Sequence, residues 1–146
     1  MSTSFRLLVP RQFHTDMVLQ AQAELPNECC GMLAGRVENG PAGPVGRVLC
    51  RYPLVNAAAN PWEYVSEPRS MLNAEKARRA EGLEFLATYH SHPRSRPVPS
   101  IIDLERNYSP DVVTMIVSLQ TDVPEIRGWW LDGNEYREAA VEWIEK

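Results

Sequence analysis

The chain has 146 residues, 44% hydrophobic and 23% charged, the balance of a soluble globular protein long enough to bury a core as one domain spanning 1–146. Its net charge of −4 argues against a nucleic-acid partner, which attracts basic surfaces, and no apolar run reaches membrane-spanning length. The first ten residues hold no apolar stretch long enough for a secretory signal. Cys29, Cys30 and Cys50 are odd in number and two of them adjacent, so no disulfide framework is expected and a reducing cytoplasm is the simplest setting.

In chain order the pattern is mixed α and β. Residues 11–25 place Phe13, Met17, Val18, Ala21 and Leu25 on one helical face, and Pro26-Asn27 ends that helix. Residues 28–37, apolar and rich in small side chains, read as a buried strand. Residues 38–47, with three glycines and two prolines, read as a loop, and 48–56 as the partner strand, with Pro53 marking an edge or an end. Residues 56–62 look irregular. Pro68 suits the first position of a helix that runs through Met71, Leu72, Ala74, Ala77 and Ala80 and stops at Gly82, half exposed. Residues 83–92 form a strand and 100–107 a short helix. Residues 112–119 are the most hydrophobic segment and read as a central strand, and 126–131 as another. In the tail, Ala139, Val141 and Trp143 alternate with Glu138 and Glu142, which fits a half-solvated strand or a short helix. Of the adjacent Trp129 and Trp130, at least one is expected in the core.

The chemistry concentrates in His90-Ser91-His92-Pro93. Residues two apart on a strand share a face, and Pro93 stops the strand, so two imidazoles emerge side by side at its end. Asp103, eleven residues beyond His92, can fold back to add a carboxylate. Two histidines, one aspartate and a water fill a zinc shell with one exchangeable position, the arrangement of catalytic rather than structural zinc. The competing readings are bland. Strand histidines can be satisfied by hydrogen bonds, and Ser100-Ile-Ile-Asp103 resembles a capping box. The two readings of Asp103 are compatible, with Ser100 opening the helix and Asp103 turned to the metal. Cys29 and Cys30 face opposite sides of a strand, so at most one could reach a metal, and both read as small core residues. Glu28, just before an apolar run, is ordinarily a solvated strand-start residue.

Taken together, Glu28 with His90-x-His92-Pro93-x6-Ser100-x-x-Asp103 resembles the JAMM (MPN+) metalloprotease family, as does Glu28-Cys-Cys-Gly-Met-Leu-Ala-Gly35. The resemblance runs from about Phe5 to Trp143, and the chain looks like a small stand-alone prokaryotic member. It implies an α/β fold of the α+β type, a curved and mostly antiparallel sheet with flanking helices, cytidine-deaminase-like. It implies that His90, His92 and Asp103 hold Zn2+, that Glu28 hydrogen-bonds the attacking water, and that Ser100 supports that water and the developing oxyanion. The implied substrate is a ubiquitin-like or sulfur-carrier protein, cut after its diglycine C-terminus by an isopeptidase or peptidase. The alternative from another class is a non-catalytic scaffold or protein-binding module. The sequence leaves a homodimer open.

Overall fold

The computed structural model describes residues 4–107 and 109–145. The elements in order are β1 (Arg6–Pro10), α1 (Arg11–Ala23), β2 (Cys30–Gly40), β3 (Gly43–Leu54), α2 (Pro68–Glu81), β4 (Glu84–His92), α3 (Ile101–Glu105), β5 (Val113–Ser118), β6 (Glu125–Asp132), β7 (Glu135–Glu138) and β8 (Val141–Ile144). All eight strands join one mixed sheet in the order β7-β6-β5-β4-β2-β3-β1-β8. Four neighbouring pairs are antiparallel and three, β4/β5, β1/β3 and β1/β8, are parallel.

The two edge strands, β7 and β8, are separated in the chain only by Ala139 and Ala140, so the sheet must curl until its ends nearly meet. The Leu7 N–H donates to the Ala140 carbonyl at 2.9 Å and the Ala139 N–H to the Gly128 carbonyl at 2.8 Å. Met17 and Ala21 of α1 share one buried cluster with Leu7, Leu33, Val48, Tyr89 and Met115, drawn from five strands, which puts α1 inside the curl. On the other face of the sheet, Ala74 and Met71 of α2 pack on Cys30, Met32, Leu54 and Phe85. A third cluster, Ile116, Trp129 and Leu131, receives Val98 and Leu104 and so fastens the loop after β4, and α3, against the sheet.

The glycines of the Glu28–Gly35 segment are demanded by close approach rather than by turn geometry. A Cβ on Gly31 would collide with the ring of fully buried Tyr89, and one on Gly35 with the backbone carbonyl of Arg47. Small residues in β2 thus let β4 and β3 lie close on either side.

Several boundaries depart from expectation. The Gly- and Pro-rich stretch 38–47 is mostly strand: β2 continues to Gly40 and β3 starts at Gly43 across a two-residue turn of Pro41 and Ala42. Gly43 accepts the φ of +111° that this tight connection requires. Neither β1 nor β7 was expected, the first because its five residues abut the helix, the second because all four of its residues are exposed and carry no burial pattern. Leu25 lies past the end of α1 and is exposed. The tail is strand, not helix. α2 begins with Pro68, stops at left-handed Gly82 and buries only Ala74, as its modest apolar face implies. Both Trp129 and Trp130 are buried, whereas Trp62 is exposed. No helix among the described residues is long and apolar enough to cross a membrane.

Candidate metal centre and active site

The site begins with a parity decision in β4. A register shift against β2 between Leu33 and Ala34 lets Leu86 and Ala87 both face the α1 side. From there strict alternation sends Tyr89 and Ser91 inward and Thr88, His90 and His92 to the opposite face. Ser91 locks the arrangement, because its hydroxyl accepts the Cys29 N–H at 2.8 Å. The two imidazoles end with their Nε2 atoms 3.2 Å apart, both rings buried.

Asp103 reaches them from α3. Its backbone N–H donates to Ser100 Oγ at 3.1 Å, and its Oδ2 accepts the Ser100 N–H at 2.9 Å, a complete capping box. The same carboxylate lies 3.1 Å from His90 Nε2 through Oδ1 and 3.0 Å from His92 Nε2 through Oδ2. Capping and convergence on the histidines are therefore one arrangement, and the cap aims the carboxylate. Burial alone would raise the Asp103 pKa. With protons rather than an ion between these groups, positive charge on His90 and hydrogen bonds donated by His90, His92 and the Ser100 backbone outweigh it and hold the carboxyl well below its usual range.

His92 Nδ1 lies 2.9 Å from the Arg96 carbonyl. A carbonyl can only accept, so Nδ1 carries a hydrogen, and Nε2 is the nitrogen whose lone pair becomes available to a cation once its own proton leaves. That nitrogen faces a carboxylate oxygen and a second imidazole nitrogen. Three potential ligand atoms, His90 Nε2, His92 Nε2 and an Asp103 oxygen, converge on one point, and a proton or a cation must lie between them. His90, His92 and Asp103 offer three ligand atoms within 4.8 Å of one another, a group that could hold a metal ion. A carbonyl fixing the tautomer of a ligating histidine is the usual support for such a site, so the residues fit a divalent metal. Neither cysteine joins the group. Cys29 packs in the α1 core and Cys30 beneath α2, and burial pushes both thiols up to about 12.

Glu28 sits on the same face. Cys30 pairs with His90, and the ladder continues as the Ser91 N–H donates to the Cys29 carbonyl at 3.1 Å, which sets Glu28 opposite His92. It is 3% exposed, not solvated as its sequence position suggests. Its backbone is clamped by the irregular 56–62 segment: the Asn56 side-chain amide donates to its carbonyl at 2.9 Å and its N–H donates to Asn60 O at 2.9 Å. Burial first, then the nearby Asp103 and Glu63 carboxylates, raise the Glu28 pKa to about 9, and its Oε1 has no hydrogen-bond partner among the described residues. A cavity of about 590 Å³ opens beside this cluster, lined among others by His90, Asp103, Tyr64, Met71, Ile102 and Arg106.

Three contributors carry no signal in the sequence. Asn56 anchors the Glu28 backbone, the Arg96 carbonyl orients His92, and Tyr64 stacks on His90 with ring centroids 4.8 Å apart at 25°. His90 Nδ1 is buried without a hydrogen-bond partner among the described residues, so the Tyr64 ring holds His90 by packing where a hydrogen bond holds His92. Tyr64→Ala is expected to weaken the affinity of this group for a divalent metal by about 10- to 100-fold, while Tyr64→Phe retains it. Competition titration against a chromogenic chelator reads the difference.

Two histidines from a strand end, an aspartate aimed by its own helix cap and a buried glutamate alongside are the constellation of a JAMM-type hydrolase. Residues 10–132 match the family described as prokaryotic homologues of the JAB domain, and the chain belongs to that family. Among curated proteins, it is 34% identical to a desampylase of Haloferax volcanii over 83% of this chain and 81% of that one. It is 38% identical to a probable TtuB-protein conjugate cleaving protease of Thermus thermophilus over 68% of this chain and 62% of that one. It is 28% identical to a CysO-cysteine peptidase of Mycobacterium tuberculosis over 80% and 75%. The solution structure of protein DSY2949 from Desulfitobacterium hafniense superposes with a TM-score of 0.85, at 28% identity, over 96% of this chain and 94% of that one.

Proposed function

We propose that this hydrolase is a zinc-dependent isopeptidase or peptidase, cutting the amide after the diglycine C-terminus of a ubiquitin-like or sulfur-carrier protein in the cytoplasm, as one domain. The observation that carries the zinc reading is the convergence of one potential ligand atom each from His90, His92 and Asp103, with the Nδ1 hydrogen of His92 directed to the Arg96 carbonyl and so away from that point. The relatives that act on ubiquitin-like conjugates or CysO-cysteine support the substrate class.

In this reading His90, His92 and Asp103 hold the ion. Zinc supplies Lewis acidity and lowers the pKa of water from about 16 towards 7. The chain's own residues do the rest. Glu28, beside the cluster with a free oxygen, would be held ionised by the charge of a bound dication, which opposes the burial that raises its pKa in the metal-free protein. It could then take a proton from the attacking water and deliver it to the leaving amine. Ser100 uses an oxygen lone pair to accept the Asp103 N–H, so its O–H remains available to the developing oxyanion. Burial, then the Asp103 and Glu63 carboxylates, disfavours the charged form of Glu28. A module that only docks partners has no use for such a buried, unpartnered acid, which favours catalysis over the scaffold alternative.

The test is cleavage of adducts of the host's own diglycine-tailed carriers. About one zinc per chain is expected, with cleavage abolished by a chelator and restored by zinc. Every adduct left intact at stoichiometric zinc would overturn the carrier assignment.

A further inference from the structure

The loop between His92 and Ser100 is held still by its carbonyls. Three in a row are taken by side chains: Ser118 Oγ donates to Ser95 O at 2.6 Å, His92 Nδ1 to Arg96 O at 2.9 Å and Trp129 Nε1 to Pro97 O at 2.8 Å. Pro93 and Pro97 are buried, whereas Arg94 and Arg96 are exposed. Most arginines elsewhere are committed: Arg6, Arg47, Arg106 and Arg127 to glutamates, Arg51 to Gln20 and Tyr89. Among the described residues, Arg94 and Arg96 make no ion pair and no side-chain hydrogen bond. Residues 93–102 contain no acid, and Asp122 on the turn after β5 forms no pair with them.

Two free guanidiniums, two and four residues past a candidate ligand, thus stand on a rigid platform in a chain of net charge −4. The planar donor fork of arginine matches a carboxylate, and a pinned loop loses little entropy when it binds one. The geometry points to Arg94 and Arg96 as a clasp for carboxylate side chains of the protein substrate, beside the bond to be cut. The inference rests on the isopeptidase reading and adds a preference to it: substrates acidic next to the scissile amide. The acids can belong to the tail that ends in diglycine or to the amine-side partner.

Three synthetic probes separate these cases, each a short peptide ending in Gly-Gly joined by an isopeptide bond to a lysine in a second peptide. One carries glutamates on the diglycine peptide, one on the lysine peptide, and the third has glutamine at all those positions. Wild-type protein is expected to cleave one glutamate probe about tenfold faster in kcat/KM than the glutamine probe, through KM. Raising salt from about 50 to about 300 mM should shrink that advantage, because exposed charges are screened. The R94Q/R96Q double variant should lose the advantage while keeping wild-type zinc content, and R36Q, at an exposed arginine in the distant β2–β3 hairpin, should keep it. The arm that gains identifies the side on which the acids sit. Equal rates on all three probes, or an advantage that survives in R94Q/R96Q, overturn the clasp alone. A wild-type protein that cleaves none of them overturns the isopeptidase reading and the clasp with it.

Discussion

Glu28→Gln is expected to keep about one zinc per chain and to lose hydrolysis by about 100- to 10,000-fold, the range of general acid–base catalysis. The substitution preserves volume, and Oε1 of Glu28 has no partner to lose, so His90, His92 and Asp103 should remain as they are. What disappears is the ability to accept and release a proton. Metal analysis alongside single-turnover cleavage of a carrier adduct separates the two effects, and turnover that persists would remove Glu28 from the mechanism.

The same variant has a signature in the metal-free protein. Folded Glu28 has its pKa raised from 4.5 to about 9 by burial, then by Asp103 and Glu63. Between those values the folded state holds a proton that the unfolded state has released, so this group makes stability fall as pH rises from about 4.5 to about 9. Glutamine does not titrate. Melting curves of the chelated proteins should therefore diverge in favour of Glu28→Gln as pH increases through that window. Parallel curves would mean that the carboxyl is hydrated rather than sealed.

How the site could be foreseen differs residue by residue. His90 and His92 were legible because strand parity is a two-residue rule that short-range pattern expresses, and Pro93 marks where the strand ends. Asp103 was legible both as a partner in the helix cap and as a neighbour of the two histidines, since a capping residue is recognised by its distance from Ser100 and nothing in that spacing forbids a second partner. Glu28 could be placed only through resemblance: its chemistry depends on β2 lying beside β4, a pairing between residues some sixty apart in the chain. Tyr64, Asn56 and the Arg96 carbonyl were invisible for a further reason. Tyr64 works by ring packing, Asn56 by binding backbone groups, and Arg96 through its own main chain, so none leaves a compositional trace. The boundary errors share one cause. Gly and Pro in 38–47 mark turns on average, but the paired arms of a long hairpin tolerate them, and β7, with every residue exposed, offers no burial period to read.

His92→Ala should lose zinc and activity together, with affinity down by at least about 100-fold, because two protein ligands seldom hold zinc tightly. The interpretation turns on what else the variant disturbs. Removing the imidazole leaves the Arg96 carbonyl with the Val98 N–H, Ser95 and Pro97 remain tethered by Ser118 and Trp129, and both bonds of the Ser100–Asp103 cap persist although Asp103 Oδ2 loses its His92 contact. The fold should therefore survive, and circular dichroism should match that of chelated wild type. Asp103→Ala removes the proposed ligand and the N3 half of the capping box at once. It should lose zinc and also melt lower in the chelated state, by at least the roughly 1 kcal/mol that a side-chain cap contributes, because its contacts with His90 and His92 go as well. Asp103→Asn separates the two roles. Its amide oxygen can still accept the Ser100 N–H, preserving α3, while the charge that balances the ion is gone. Zinc affinity that falls in Asp103→Asn while the chelated variant keeps the wild-type fold by circular dichroism assigns the carboxylate to the metal. Unchanged affinity would reduce Asp103 to a helix cap and leave two histidines without a third ligand.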